Sequence, residues 1–152
     1  MDWGTLMGTG LGATIGVGST LIADRIRWKR DQDARREDAR RQLYGEYLSA
    51  LTRTRSQLKE VRSADLALDE RARRAGEVFR QGGAYELRYQ MAITASAVVV
   101  ERSDDALRKL RDVRDLIQDG AAEDTLQEEF GALIGTIKAL RDAMRADLGS
   151  DG

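Results

Sequence analysis

The sequence predicts an all-α fold: an N-terminal transmembrane helix continuing into a long helix, which packs with two further helices as an antiparallel, up-down-up bundle. Three observations carry this. The 152 residues contain no Pro, and Ala, Arg, Leu and Glu are abundant, a composition that favours long helices. Beyond residue 24, apolar residues recur at three- and four-residue spacing, the signature of helices with one buried face. Between those stretches stand Gly82-Gly83 and Gly120, residues suited to the left-handed turn after a helix.

The first element is Trp3 to Ala23, WGTLMGTGLGATIGVGSTLIA, 21 residues without an ionisable group. As a helix it spans roughly 30 Å, the thickness of a bilayer hydrocarbon core. Residues 1–24 are therefore read as a transmembrane anchor. Trp3 and Trp28 bracket it where interfacial aromatics belong, and Arg25, Arg27, Lys29 and Arg30 follow at once. These six residues are the candidate lipid headgroup contacts. A cleaved signal peptide fits poorly, because the basic cluster follows the apolar stretch instead of preceding it. Basic loops stay on the cytoplasmic side, so the N-terminus is expected outside and the remainder of this single-pass chain in the cytoplasm.

Gly4, Gly8, Gly12 and Gly16 fall every four residues, on one helix face. Such a strip lets two backbones approach closely in lipid. A homo-oligomer through residues 3–23 is the expected consequence.

Residues 25–43 form a charged juxtamembrane helix. The near-repeat DARRE and DARRQ starts at Asp33 and Asp38, with both signs of charge at helical spacing. Residues 25–62 hold twelve basic and six acidic side chains, whereas residues 63–152 hold thirteen and eighteen. Asp31, Asp33, Glu37 and Asp38 interrupt the positive field, and Trp28 is its only interleaved aromatic. The basic stretch is thus read as facing anionic lipid, with no nucleic-acid partner.

Residues 44–149 are the bundle. Tyr44, Leu51, Leu58, Asp65, Ala72 and Phe79 keep one heptad register; Tyr47, Thr54, Val61, Leu68 and Ala75 keep its companion. The register passes Ser63 unchanged, which predicts one helix to Gln81, ended by Gly82-Gly83. A second helix is expected over 84–119, with Leu87, Met91, Thr94 and Val98 as one stripe and Ala106, Leu110, Val113 and Ile117 as another. The offset between them, at Ser103-Asp104-Asp105, predicts a kink or a restart capped by Ser103. A third helix is expected over 122–148, on Leu126, Phe130, Leu133, Ile137, Leu140, Met144 and Leu148. Gly131 and Gly135 within it suggest a close helix contact inside the bundle.

The apolar anchor, the basic residues ahead of RRQLYGEYLSAL, the stretch Glu86 to Ile117 with SDDALRKLRDV, and FGALIGTIKALRDAMRADLG together resemble a group of small single-pass, membrane-anchored helical proteins of actinobacteria. The likeness covers most of the chain and ends on Arg-x-Asp-Leu-Gly, Arg145 to Gly149. It implies a fold and a place at the membrane; the group has no established activity, and the resemblance carries over no functional residue.

Composition excludes much chemistry. With no Cys and no His there is neither a Cys/His zinc site, nor a disulfide framework, nor a nucleophile–His arrangement. GTGLG at Gly8 to Gly12 lacks the Lys and the preceding strand of a phosphate loop. Glu123, Asp124, Glu128 and Glu129 read as a solvated face. No enzymatic activity, cofactor or metal is expected. Two functions remain: an interaction or scaffold module at the inner face of the membrane, with a protein partner for the bundle, or a glycine-zipper oligomer acting within the membrane as a small pore or perturbing assembly.

Overall fold

The structure, a computed structural model, describes the backbone of residues 3–149 and the side chains of residues 28–149. It contains five α-helices and no strand among the described residues: α1 (Trp3–Ser63), α2 (Leu68–Gln81), α3 (Ala84–Thr94), α4 (Ala97–Gln118) and α5 (Glu123–Gly149). The chain divides into two compact units, residues 1–39 and 40–152.

In the first unit, α1 carries an exposed run of side chains. Trp28, Lys29 and Arg30 are exposed, and Arg36 lies 3.8 Å from Asp33 one turn away, a solvated pair of small energetic weight. Among the described residues no helix is long and apolar enough to cross a membrane. The expected anchor and its glycine strip lie outside the residues with described side chains.

The second unit is a bundle of four stems, not three. The pairings between helices give its directions. Tyr44 meets Asp147 and Arg62 meets Glu123, so α1 and α5 run antiparallel. Lys109 meets Glu129 at 3.0 Å, so α4 and α5 are antiparallel across the turn at 119–122. Gln118 donates to the Ala72 carbonyl, Arg114 stacks 4.5 Å over Phe79, and Arg88 pairs with Asp104. Numbers rising along α2 and α3 thus meet numbers falling along α4. The second stem is α2 followed by α3, and the order is up-down-up-down.

This corrects the expected up-down-up bundle at two places. The first helix stops at Ser63, not at Gln81. Residues 64–67 reverse the chain without Gly or Pro, using a short Leu66 N–H to Ala64 C=O bond of 2.9 Å. An uninterrupted helix would have left Ala75, Val78 and Phe79 with nothing to cover them. Folding back buries Ala75 and packs the other two against the core. Leu68 ends up 53 % exposed, touching the turn at Gly120. Gly82-Gly83, conversely, does not reverse the chain. Gly82 is helical and Gly83 left-handed at φ 71°, and the stem continues beyond them.

The second expected break also moves. Ala95-Ser96 separates α3 from α4, with Ser96 extended at ψ 157° as the N-cap residue. Ser103 caps nothing. It is buried in the middle of α4, where its hydroxyl donates to the Val100 carbonyl at 2.7 Å.

One core runs through all four stems. It contains Tyr47, Leu51 and Leu58 of α1, Ala75 and Met91 of the second stem, Val99, Leu110 and Ile117 of α4, and Leu133, Leu140 and Met144 of α5. Thr54 is also buried, its hydroxyl bonded to the Ala50 carbonyl at 2.8 Å. Gly131 and Gly135 are exposed with open space around them, so they make no close contact within the bundle.

Candidate functional site

Among the described residues no group of three or more acidic side chains is placed to hold a metal ion. The distinctive surface of this unit is α3. Its sequence, AYELRYQMAIT, is apolar on two sides. Ala84 and Met91 are buried and Leu87 packs against the core. Tyr85, Tyr89 and Ile93, at four-residue intervals, line the opposite side and are 46, 52 and 86 % exposed. A helix that serves one core needs one apolar stripe; this one has a second facing water. Val98, just beyond the Ala95-Ser96 link, adds another large exposed side chain at 58 %.

The two tyrosines of the stripe hold each other. The Tyr85 and Tyr89 rings meet edge to face with centroids 5.1 Å apart, and their hydroxyls are hydrogen-bonded at 2.8 Å. That bond holds the Tyr89 phenol above the ordinary tyrosine value. The Arg88 guanidinium lies 5.6 Å from the Tyr89 ring centroid.

Between α3 and α4 runs a shallow groove of about 260 Å³, lined by Tyr85, Arg88, Tyr89, Asp104, Leu107, Arg108 and Arg111. Three guanidiniums face one carboxylate there. That carboxylate, Asp104, is bonded to Arg88, which holds its pKa below the usual aspartate range. Arg108 reaches Asp105 at 3.3 Å while remaining largely exposed, and Arg111 has no ion-pair partner among the described residues. The groove is therefore positive, with aromatic faces on one wall.

Of the residues chosen from sequence, Trp28, Lys29 and Arg30 are exposed on α1. Trp3, Gly4, Gly8, Gly12, Gly16, Arg25 and Arg27 lie outside the described side chains. The stripe expected on Leu87, Met91, Thr94 and Val98 holds for its first two members only: Thr94 and Val98 are exposed, because the chain breaks at Ala95-Ser96 and the stripe ends there. The missed signal was the surplus: apolar residues at 85, 89 and 93 in addition to 84, 87 and 91.

Comparison with protein families, with curated proteins and with solved structures found no match.

Proposed function

We propose that this chain is a membrane-anchored interaction module whose bundle presents the outer face of α3 to a protein partner at the inner face of the membrane. The observation that carries the reading is the exposed stripe of Tyr85, Tyr89 and Ile93 on a helix whose other side already fills the core. An exposed apolar patch marks an interaction site, and tyrosines are among the usual anchors of protein interfaces. The anchor part of the proposal rests on sequence: an uncharged stretch of 21 residues followed by Arg25, Arg27, Lys29 and Arg30.

The test is a photo-crosslinking amino acid at position 93 in the intact chain, in its native membrane, with a control at Asp142 on the exposed side of α5. A discrete adduct to another protein is expected from position 93 and not from 142. It is expected to persist when residues 1–24 are replaced by an unrelated membrane helix. Recovery of the chain in the carbonate-soluble fraction would remove the anchor. Absence of adduct at 93 would remove the docking face. Loss of function on exchanging the anchor, with the bundle dispensable, would instead favour a glycine-zipper assembly in the membrane.

A further inference from the structure

We infer that the partner segment taken by the α3 face is an acidic amphipathic helix, lying along Tyr85, Tyr89 and Ile93 with its carboxylates against Arg108 and Arg111. The inference rests on the docking role proposed above and specifies its partner.

The shape of the surface sets the kind of segment. Tyr85 to Ile93 is nine residues of helix, a rise of about 12 Å at roughly 1.5 Å per step. That is two turns, so a partner helix can bring residues at i, i+4 and i+7 against it. An extended strand has no free sheet edge to join, since the described residues are all helix and short links.

The charge of the surface sets the sign. Arg88 and Asp104 neutralise each other, Arg108 is shared with Asp105 beyond the groove lining, and Arg111 has no ion-pair partner among the described residues, so the lining keeps three guanidiniums against one carboxylate. The tyrosine pair adds a directional feature. Two phenols sharing one hydrogen bond retain one O–H that still donates, beside those guanidiniums. Two cationic forks and a phenol donor make a set that a carboxylate satisfies and an ammonium does not. Docking therefore pairs an apolar row with an acidic flank, and a basic segment would be repelled.

The test uses the full chain in phosphatidylcholine nanodiscs. Random 16-residue peptides displayed on phage are selected against it, with empty nanodiscs as counter-selection. Survivors are then measured on the wild type, on Tyr89→Ser with Ile93→Ser, and on Arg108→Glu with Arg111→Glu. All four positions line the exposed side of α3 or the α3–α4 groove, and circular dichroism checks that each variant folds. The expected result is enrichment of peptides with apolar residues at three- and four-residue spacing and an excess of Asp and Glu. Each variant should weaken them tenfold or more, and raised salt should weaken them further. Peptides that need Tyr89 and Ile93 but carry no acidic excess would overturn the acidic partner and leave the docking face standing. Enrichment that ignores both variants, or no enrichment at all, would overturn both. The chain has no Cys, so Ile93→Cys takes a single environment-sensitive dye. A blue shift of that dye when phosphatidylserine replaces part of the lipid, with no peptide present, would assign the face to the membrane and overturn the proposal; a blue shift only with a selected peptide supports it.

Discussion

The Tyr47 hydroxyl donates a 2.9 Å hydrogen bond to the Ser103 backbone carbonyl, tying α1 to α4 across 56 positions of sequence. Both residues are fully buried. Burial pushes the Tyr47 phenol well above the ordinary tyrosine value of 10.0, with nearby Arg88 opposing and Asp104 adding to the shift. Below that ordinary value both folded and unfolded forms keep the proton, and stability does not depend on this group. Above it the unfolded chain releases the proton while the folded chain keeps it, so stability falls as pH rises. Urea midpoints of residues 32–152 at pH values from about 9 to about 11 are expected to fall more steeply for the wild type than for Tyr47→Phe, by up to about 1.4 kcal/mol per pH unit. At neutral pH the same substitution should cost about 1 kcal/mol for the lost hydrogen bond. Parallel slopes would mean that Tyr47 titrates without unfolding the bundle.

The junction between α2 and α3 is set by volume. Gly82 is in a helical conformation that Ala adopts freely, yet an added methyl group would run into the Thr54 side chain on α1. Gly82→Ala is expected to destabilise by about 1–3 kcal/mol through overpacking, against the small gain that Ala gives in most helices. Thr54→Ala removes the obstructing hydroxyl and methyl. The double variant should therefore be more stable than the two single effects added together, with a coupling of at least about 0.5 kcal/mol. Additive effects would show that α2 moves aside.

The outer face of α5 should respond in the opposite way. Gly131 and Gly135 have open space where a Cβ would stand. Replacing each by Ala is expected to stabilise by about 0.5–1 kcal/mol, because the helix is kept and the unfolded chain loses freedom. Their neighbours mark the two faces. Leu133 is fully buried, and Leu133→Ala should cost about 2–5 kcal/mol. Ile134 is 51 % exposed, and Ile134→Ala should stay within about 0.5 kcal/mol. Chemical denaturation of the four variants decides. A loss at Gly131 or Gly135 would place a second helix against that face.

How legible the fold was depended on whether a stripe was single. Along α5 the row Leu126, Phe130, Leu133, Leu140 and Met144 has no competitor, and it is the row that is buried. The end of α1 was not legible. Ser63 to Ala67 contains no Gly or Pro, and the heptads run through it. The chain turns there because four shorter stems bury Ala75, Val78 and Phe79, which one extended helix cannot, and that gain is tertiary. Ser103 misled by type: beside Asp104 and Asp105 it has the chemistry of a cap, but its burial under Tyr47 made it part of the α4 core. The α3 surface was hidden by a choice between two apolar faces. Leu87 and Met91 face the core as their spacing predicts, Thr94 and Val98 of the same expected row are exposed, and the Tyr85–Tyr89–Ile93 row lies on the opposite side of α3.

The end of α5 supplies a last test, in the Arg145 to Gly149 ending. Asp147, its side chain only 8 % exposed, accepts the Tyr44 hydroxyl bond and lies 3.6 Å from Arg40, so it joins the last turn of α5 to the start of the bundle part of α1. A nearly buried carboxylate is expensive to desolvate and survives only with such donors. Asp147→Asn keeps the shape and removes the charge. It is expected to cost about 1.5–3 kcal/mol, the range for hydrogen bonds to charged groups. Arg40→Gln should cost less, about 1 kcal/mol or below, because Arg40 is more exposed and Tyr44 still bonds the carboxylate. The loss should be local before it is global. Amide hydrogen exchange of Asp147→Asn is expected to quicken at 143–148 and at 43–47 while Leu110 and Leu133, in the middle of the core, keep their protection relative to the lowered overall stability. Uniform acceleration across α4 and α5 would mean that Asp147 supports the whole bundle and not its end. No acceleration anywhere would mean that Tyr44 and Arg40 bond solvent equally well, and the α1–α5 junction would then be held by Leu43, Tyr44 and Leu148 packing alone.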